Sequence, residues 1–186
     1  MFHPIVYDNI RVVLEGAVYD RDLDGEILVL SRADVVDLAT FHRYFHIEFY
    51  LGEEVDPDKK VTSQIQLKTS LADIASEQLE QSITDHIGCT ICIHFTLHIT
   101  DVVKDTEKIT KILNDIWGHR PHITQEISTH LDEHKQLQWP PAVFKNRITL
   151  DFHRKIDEGN IEDMQGLVEH SIESLERLHR LVKVTV

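Results

Sequence analysis

Apolar and polar positions alternate along much of the chain, and fewer stretches keep the three-to-four spacing of a helix. From Ile5 to Tyr19, Ile10, Val12, Leu14 and Val18 alternate with Arg11, Glu15 and Tyr19, which predicts a strand. Asp20 to Gly25 reads as a turn, and Glu26 to Leu30 as its hairpin partner. Ser31 with Asp34 has the form of a capping box, so a short capped turn or helix follows. Beyond it, Phe41, Phe45, Ile47, Phe49 and Leu51 alternate with His42, Tyr44, His46, Glu48 and Tyr50, predicting a strand over Phe41–Leu51. Gly52 to Lys60 is a loop by composition, and Val61 to Lys68 alternates again. Ser70 caps a helix to about Ile83, with Leu71, Ile74, Ala75 and Leu79 inward.

The clearest strand is Gly88 to Thr100. Ile91, Ile93, Phe95, Leu97 and Ile99 share one face, and Thr90, Cys92, His94, Thr96, His98 and Thr100 the other. Asp101 opens a helix to about Trp117, which Gly118-His-Arg-Pro121 breaks. Ile123, Ile127 and Leu131 predict a second helix over His122–Leu137, ended by Trp139-Pro140-Pro141. Arg147 to His153 is a last strand, with Thr149, Asp151 and His153 turned away from Ile148, Leu150 and Phe152. Asn160 caps a long C-terminal helix reaching about Val182. Strands with one apolar and one polar face belong to an antiparallel sheet covered on one side only. The fold class is therefore α+β: a mostly antiparallel sheet with helices packed on one face, in a single domain spanning 1–186.

Charge narrows the partners. With 19 basic and 32 acidic residues in 186, the formal net charge is −13. Such a chain repels phosphate backbones and anionic membrane surfaces, so neither nucleic acid nor membrane is expected as a partner. No apolar run approaches the roughly 20 residues of a spanning helix. The first residues, Met-Phe-His-Pro-Ile-Val, lack the regions of a signal peptide, which points to the cytoplasm. Cys89 and Cys92 spell C-x-x-C, but on a strand the two side chains face opposite ways, which argues against a redox pair.

Histidine is the unusual residue, at 13 of 186. Pairs four apart occur at His42/His46, His94/His98 and His130/His134, where chance supplies about one. On a strand that spacing is about 13 Å, too far to share an ion, whereas residues two apart with a neighbouring strand can do so. If the Phe41–Leu51 and Gly88–Thr100 strands were adjacent, Cys92, His94 and His98 would meet His46 and Glu48. That donor set suits zinc or another divalent transition metal.

Shorter matches also occur. His130-Leu-Asp-Glu-His134 has the H-x-x-E-H spelling of inverzincin metallopeptidases, over five residues only. His94-Phe-Thr96, His98-Ile-Thr100 and His122-Ile-Thr124 share the H-x-T string that two-histidine phosphoesterases carry on paired strands. Here, however, His122 is expected to open a helix. No glycine-rich phosphate loop and no G-x-S-x-G elbow is found.

In the last helix Ile161, Met164, Val168, Ser171, Leu175, Leu178 and Val182 follow a coiled-coil spacing, widened by Leu167, Ile172 and Leu181. So wide an apolar arc predicts contact with a second subunit, and hence a homodimer. The leading reading is an acidic protein that binds a small ligand on its polar sheet face, or a basic protein partner. The alternative is a zinc-type metal-dependent hydrolase or metal-binding protein built on the histidine- and cysteine-bearing face.

Full protonation of the thirteen histidines would cancel the net charge of −13. A solubility minimum is therefore expected between about pH 5 and 6, and a curve flat from about pH 8 to 5 would contradict it.

Overall fold

The computed structural model describes residues 5–52, 61–78, 88–130 and 139–185. The chain opens with helix α1 (Ile5–Leu23), followed by strands β1 (Ile27–Asp37), β2 (His42–Leu51) and β3 (Thr62–Ser70). Helix α2 (Leu71–Gln78), strand β4 (Cys89–Ile99) and helix α3 (Val102–Trp117) come next. Strands β5 (His122–Ser128) and β6 (Phe144–Ile156), a 3-10 turn at Glu158–Asn160 and helix α4 (Asp163–Thr185) complete it. The strands form one six-stranded sheet in the order β1-β2-β3-β4-β6-β5, and every pairing is antiparallel. This is the expected α+β architecture. The expected loop over 53–60, the helix end beyond Gln78 and the Glu133 and His134 of the H-x-x-E-H string lie outside the described residues.

Alternation decides which face is buried. Phe45, Ile47 and Phe49 of β2, Ile65 and Leu67 of β3, Ile93, Phe95 and Leu97 of β4, and Ile148 and Leu150 of β6 are fully buried on one side. Helices α1, α3 and α4 pack there. α4 crosses the middle strands with Met164, Val168, Leu175 and Leu178 buried, so its apolar seam packs on the chain's own sheet. Trp117 at the end of α3 joins the two helices: its Nε1 donates to Ser174 Oγ at 3.0 Å. Its ring also meets Phe152 edge-on at 5.6 Å.

The local signals that held are capping and closure. Ser70 and Asp73 exchange the reciprocal bonds of a capping box at the start of α2. Asp101 accepts from Lys104 N–H at the start of α3, and Gly118 ends that helix in the left-handed region with φ 60°. Gly88, just before β4, has φ +143°, and a Cβ there would sit 2.3 Å from the Ile156 carbonyl oxygen. Asn160 does not cap α4: its side chain turns back to accept from the Asp157 N–H, and α4 begins at Asp163.

Three expectations are corrected. Residues 5–19 form a helix, not a strand. Tyr7, Ile10, Leu14 and Val18 are the buried stripe, and exposed Val12, Val13 and Tyr19 on the outer side mimicked alternation. Residues 31–37 continue β1 instead of forming a capped turn, and Ser31 Oγ donates across the sheet to Glu48 at 3.3 Å. Residues 122–128 form strand β5, not a helix. Gln125 faces the core side as a polar residue, its amide donating to Thr106 O (3.0 Å) and Thr110 Oγ1 (2.8 Å) of α3. That inward glutamine hid the period of two.

At the β1 edge the core face becomes ionic. Asp34 accepts two bonds from Arg43, Nε at 2.9 Å and Nη2 at 2.8 Å, and the guanidinium lies 4.8 Å from the Tyr7 ring centre. Asp8 of α1 reaches Arg43 at 3.1 Å, while Glu15 binds Arg11 and Arg32. Burial alone would raise the Asp34 pKa, but Arg43's hydrogen bonds and charge outweigh it and hold the carboxyl below its ordinary value. The pair's stabilisation is therefore complete above the unfolded value near 4 and lost as pH falls through the lower native value.

Arg43→Ala should cost about 2 kcal/mol, measured by urea unfolding, because it strands the Asp34 carboxylate. Asp34→Asn should flatten the fall in unfolding free energy below about pH 4; an unchanged acid limb would show the pair to be energetically silent.

Candidate functional site

The face opposite the helices carries the polar alternates, and the order β4-β6-β5 aligns them in rows. Cys92, Asp151 and His122 form one row across these strands; His94, Thr149 and Thr124 form the next. Thr96, Arg147 and Glu126 make a third, and His98, Lys145 and Ser128 a fourth. Neighbours within a row stand about 5 Å apart and successive rows about 7 Å, so the rows make a continuous polar patch.

His94 is at its centre, half-buried, with Nδ1 3.0 Å from Thr149 Oγ1. Burial pushes the His94 pKa below its ordinary value; the Arg147 guanidinium adds to this and Glu126 opposes it. The imidazole is therefore neutral at pH 7 and keeps one donor and one acceptor nitrogen. Burial, with Asp151 beside it, pushes the Cys92 thiol up, which makes it a poor nucleophile at neutral pH. Cys89 is in the core on the other face, so the C-x-x-C does not form a redox pair, and neither cysteine is in a disulfide.

The patch carries two cations of its own, and these are not held in the ion pairs that fasten α1. Arg11, Arg21, Arg32 and Arg43 are all tied to carboxylates. Lys145 and Arg147 stand two apart on β6, exposed, and neither has an ion-pair partner within 4.0 Å among the described residues. Hydroxyls of Thr96, Thr124 and Thr149 and the imidazoles of His94 and His98 surround them.

One end of the patch is shaped by a bulge. Between Cys92 and Thr90 the β4–β6 register slips, and His153 takes φ 50°. Its N–H donates to Asp151 Oδ1 at 2.8 Å, and its ring lies 5.5 Å from that of His122.

The five residues expected as a metal site do not converge. Strand β3 stands between β2 and β4, so Gln66 separates His46 from Cys92 and Gln64 separates Glu48 from His94. Each gap is two strand spacings, about 10 Å, and His98 is about 13 Å along β4 from His94. Among the described residues no three His, Cys, Asp or Glu side chains meet as metal ligands. The two strands are on one face, as expected, but they are not adjacent. The H-x-T motifs at His94 and His122 both lie on strands and point to the open face, with β6 between them. Their imidazoles are held apart by the Thr149 and Asp151 column and do not address a common atom.

Sequence reasoning found Cys92, His94 and the outward Thr149 and Asp151, but not Lys145 or Arg147. The available signal was their place as outward alternates of β6; what local pattern could not supply was that β6 lies beside β4. A cleft between α3 and β5, lined by Thr106, Lys111, Asn114, Asp115 and His119, lies on the other side of the sheet. Comparison with protein-family models, curated proteins and solved structures finds no match to this chain.

A two-dimensional NMR titration is expected to place the His94 midpoint below the ordinary value near 6.5, and Arg147→Gln should move it upward. A midpoint unmoved by that substitution would remove Arg147 from the surroundings of His94.

Proposed function

We propose that this chain is a binding protein whose open sheet face takes up a small polar molecule bearing a phosphate or carboxylate group, centred between β4 and β6. The observation that carries this is the pair Lys145 and Arg147, exposed side by side and forming no ion pair within 4.0 Å among the described residues, in a chain of net charge −13. Other surface cations, Lys68 and Arg154 among them, also lack an ion pair among the described residues, but these two stand in adjacent rows of one sheet face with threonine hydroxyls and imidazoles around them and a single carboxylate, Glu126, opposite Arg147.

The chemistry fits an oxyanion. A guanidinium presents a planar fork to two oxygens, an ammonium adds a point charge, and hydroxyls complete the shell. Neutral His94, braced by Thr149, can donate to the ligand or accept from it. Glu126, opposite Arg147 on β5, offers an acceptor for a hydroxyl or amino group on the same molecule. Nothing in this arrangement activates a nucleophile, since the Cys92 thiol is held protonated. The reading is therefore of recognition and not of turnover. The metal-dependent alternative lacks comparable support, because its ligands lie on strands that β3 separates.

Titration of labelled protein with inorganic phosphate, pyrophosphate and citrate tests the site. Saturable amide shifts confined to β4, β6 and β5 are expected with at least one of these. Lys145→Glu with Arg147→Glu should weaken binding by about tenfold or more, the loss of charge-assisted hydrogen bonds, without lowering the unfolding midpoint. Shifts that are absent at tens of millimolar ligand (roughly the −3 kcal/mol range), or that survive the double substitution, would sink the reading.

A further inference from the structure

We infer that His122 and His153 form a binding site for a divalent transition-metal ion at the bulged end of the open sheet face. His122 begins β5 and stands opposite Asp151 of β6, in the row that starts with Cys92. In a regular strand the next outward residue, His153, would lie about 7 Å farther along β6, past the start of β5. The bulge changes this: His153 takes φ 50°, and its ring comes to 5.5 Å from that of His122, tilted by 37°. Two imidazoles bound through ring nitrogens to one tetrahedral zinc, at about 2.0–2.1 Å each, have their centres about 5–5.5 Å apart. The backbone thus already spaces the pair for a shared ion.

Asp151 supplies the second observation. Its Oδ1 accepts from the His153 N–H at 2.8 Å and lies 3.5 Å from His153 Nδ1. A carboxylate beside that nitrogen favours the tautomer with the proton on Nδ1 and leaves the Nε2 lone pair for a metal, as in carboxylate–histidine–metal triads. Both rings are exposed, so an ion can reach them and complete its coordination with water. The backbone points the same way: a left-handed conformation costs histidine energy that glycine or asparagine would be spared, yet histidine stands there. No three ligating side chains meet among the described residues, so two histidines hold the ion and its other positions stay open. Imidazole donors suit zinc, copper or nickel, whereas magnesium and calcium take oxygen ligands. The pair lies two rows from Arg147 and does not depend on the oxyanion reading.

The test titrates the full chain, labelled and stripped of metal, with zinc chloride and follows the ring signals of its thirteen histidines by NMR. The His122 and His153 signals are expected to shift first and together, saturating at one zinc per chain, while magnesium at the same concentration moves neither. His122→Gln and His153→Asn should each weaken zinc binding at least tenfold; asparagine tolerates the left-handed backbone that His153 adopts. Asp151→Asn, which keeps an acceptor for the His153 N–H but loses the charge, should weaken it about tenfold. Cys92→Ser should leave it unchanged. Zinc should raise the unfolding midpoint of the parent but not of His122→Gln, and the two should unfold alike without metal. Other histidines shifting first, or affinity that survives His122→Gln, would show zinc scattered over a histidine-rich surface and overturn the inference. So would loss of binding with Cys92→Ser, which would put the ion on the thiol, or silence of both rings at millimolar zinc.

Discussion

Six strands present most of their apolar side chains to one side, so the helices gathered there shield them, and the opposite side is mainly polar apart from residues such as Leu28 near the β1 edge. Most other features depend on this one-sided burial. It obliges α4 to spend its wide apolar arc on the middle strands, and it draws α3 and α1 to either side. Register is fixed by the same requirement: a slip of one residue would put Phe95 or Ile93 into water and a histidine into the core. The polar alternates are therefore held in position by packing they take no part in. Their own identities are left free for chemistry.

The composition of the patch then follows from topology. Strand β6 enters between β4 and β5, out of chain order, and brings Lys145, Arg147, Thr149 and Asp151 into the middle of two strands that already carry histidines and threonines. The bulge near His153 ends the regular rows and turns an extra imidazole toward His122. A left-handed conformation at a non-glycine residue costs energy, and here Asp151 holds it by a backbone hydrogen bond.

Much of this was readable from local pattern. Gly88–Thr100 coincides with β4 to within a residue at each end, Asp101–Trp117 with α3, and both faces of β4 and β6 were assigned as they stand. These elements each bury one face and present one period. The failures share a cause. In α1 both faces carry apolar residues, so the helical stripe and a false alternation were equally visible. In β5 an inward Gln125, satisfied by α3, removed the apolar residue that alternation needed. Asp34 resembled a capping residue because its partner, Arg43, comes from the next strand. At the site, the polar side chains of β4 were apparent, whereas the metal set required a strand adjacency that no local spacing encodes. Long-range pairing decided between His46 and Arg147 as the neighbour of His94's strand.

The ionic edge beneath α1 has a consequence for states in which that helix has come away. Most surfaces uncovered by a departing helix are greasy, and an outermost strand that loses its cover becomes a template for other chains. Here the strip beneath Tyr7, Asp8 and Glu15 holds Arg32, Asp34 and Arg43. On detachment these groups hydrate, and any chain trying to extend the sheet at β1 must desolvate them again. The cluster that fastens the helix when closed thus guards the margin of the sheet when open, so transient loosening of the first element leads back to the native state and not to self-propagating assembly.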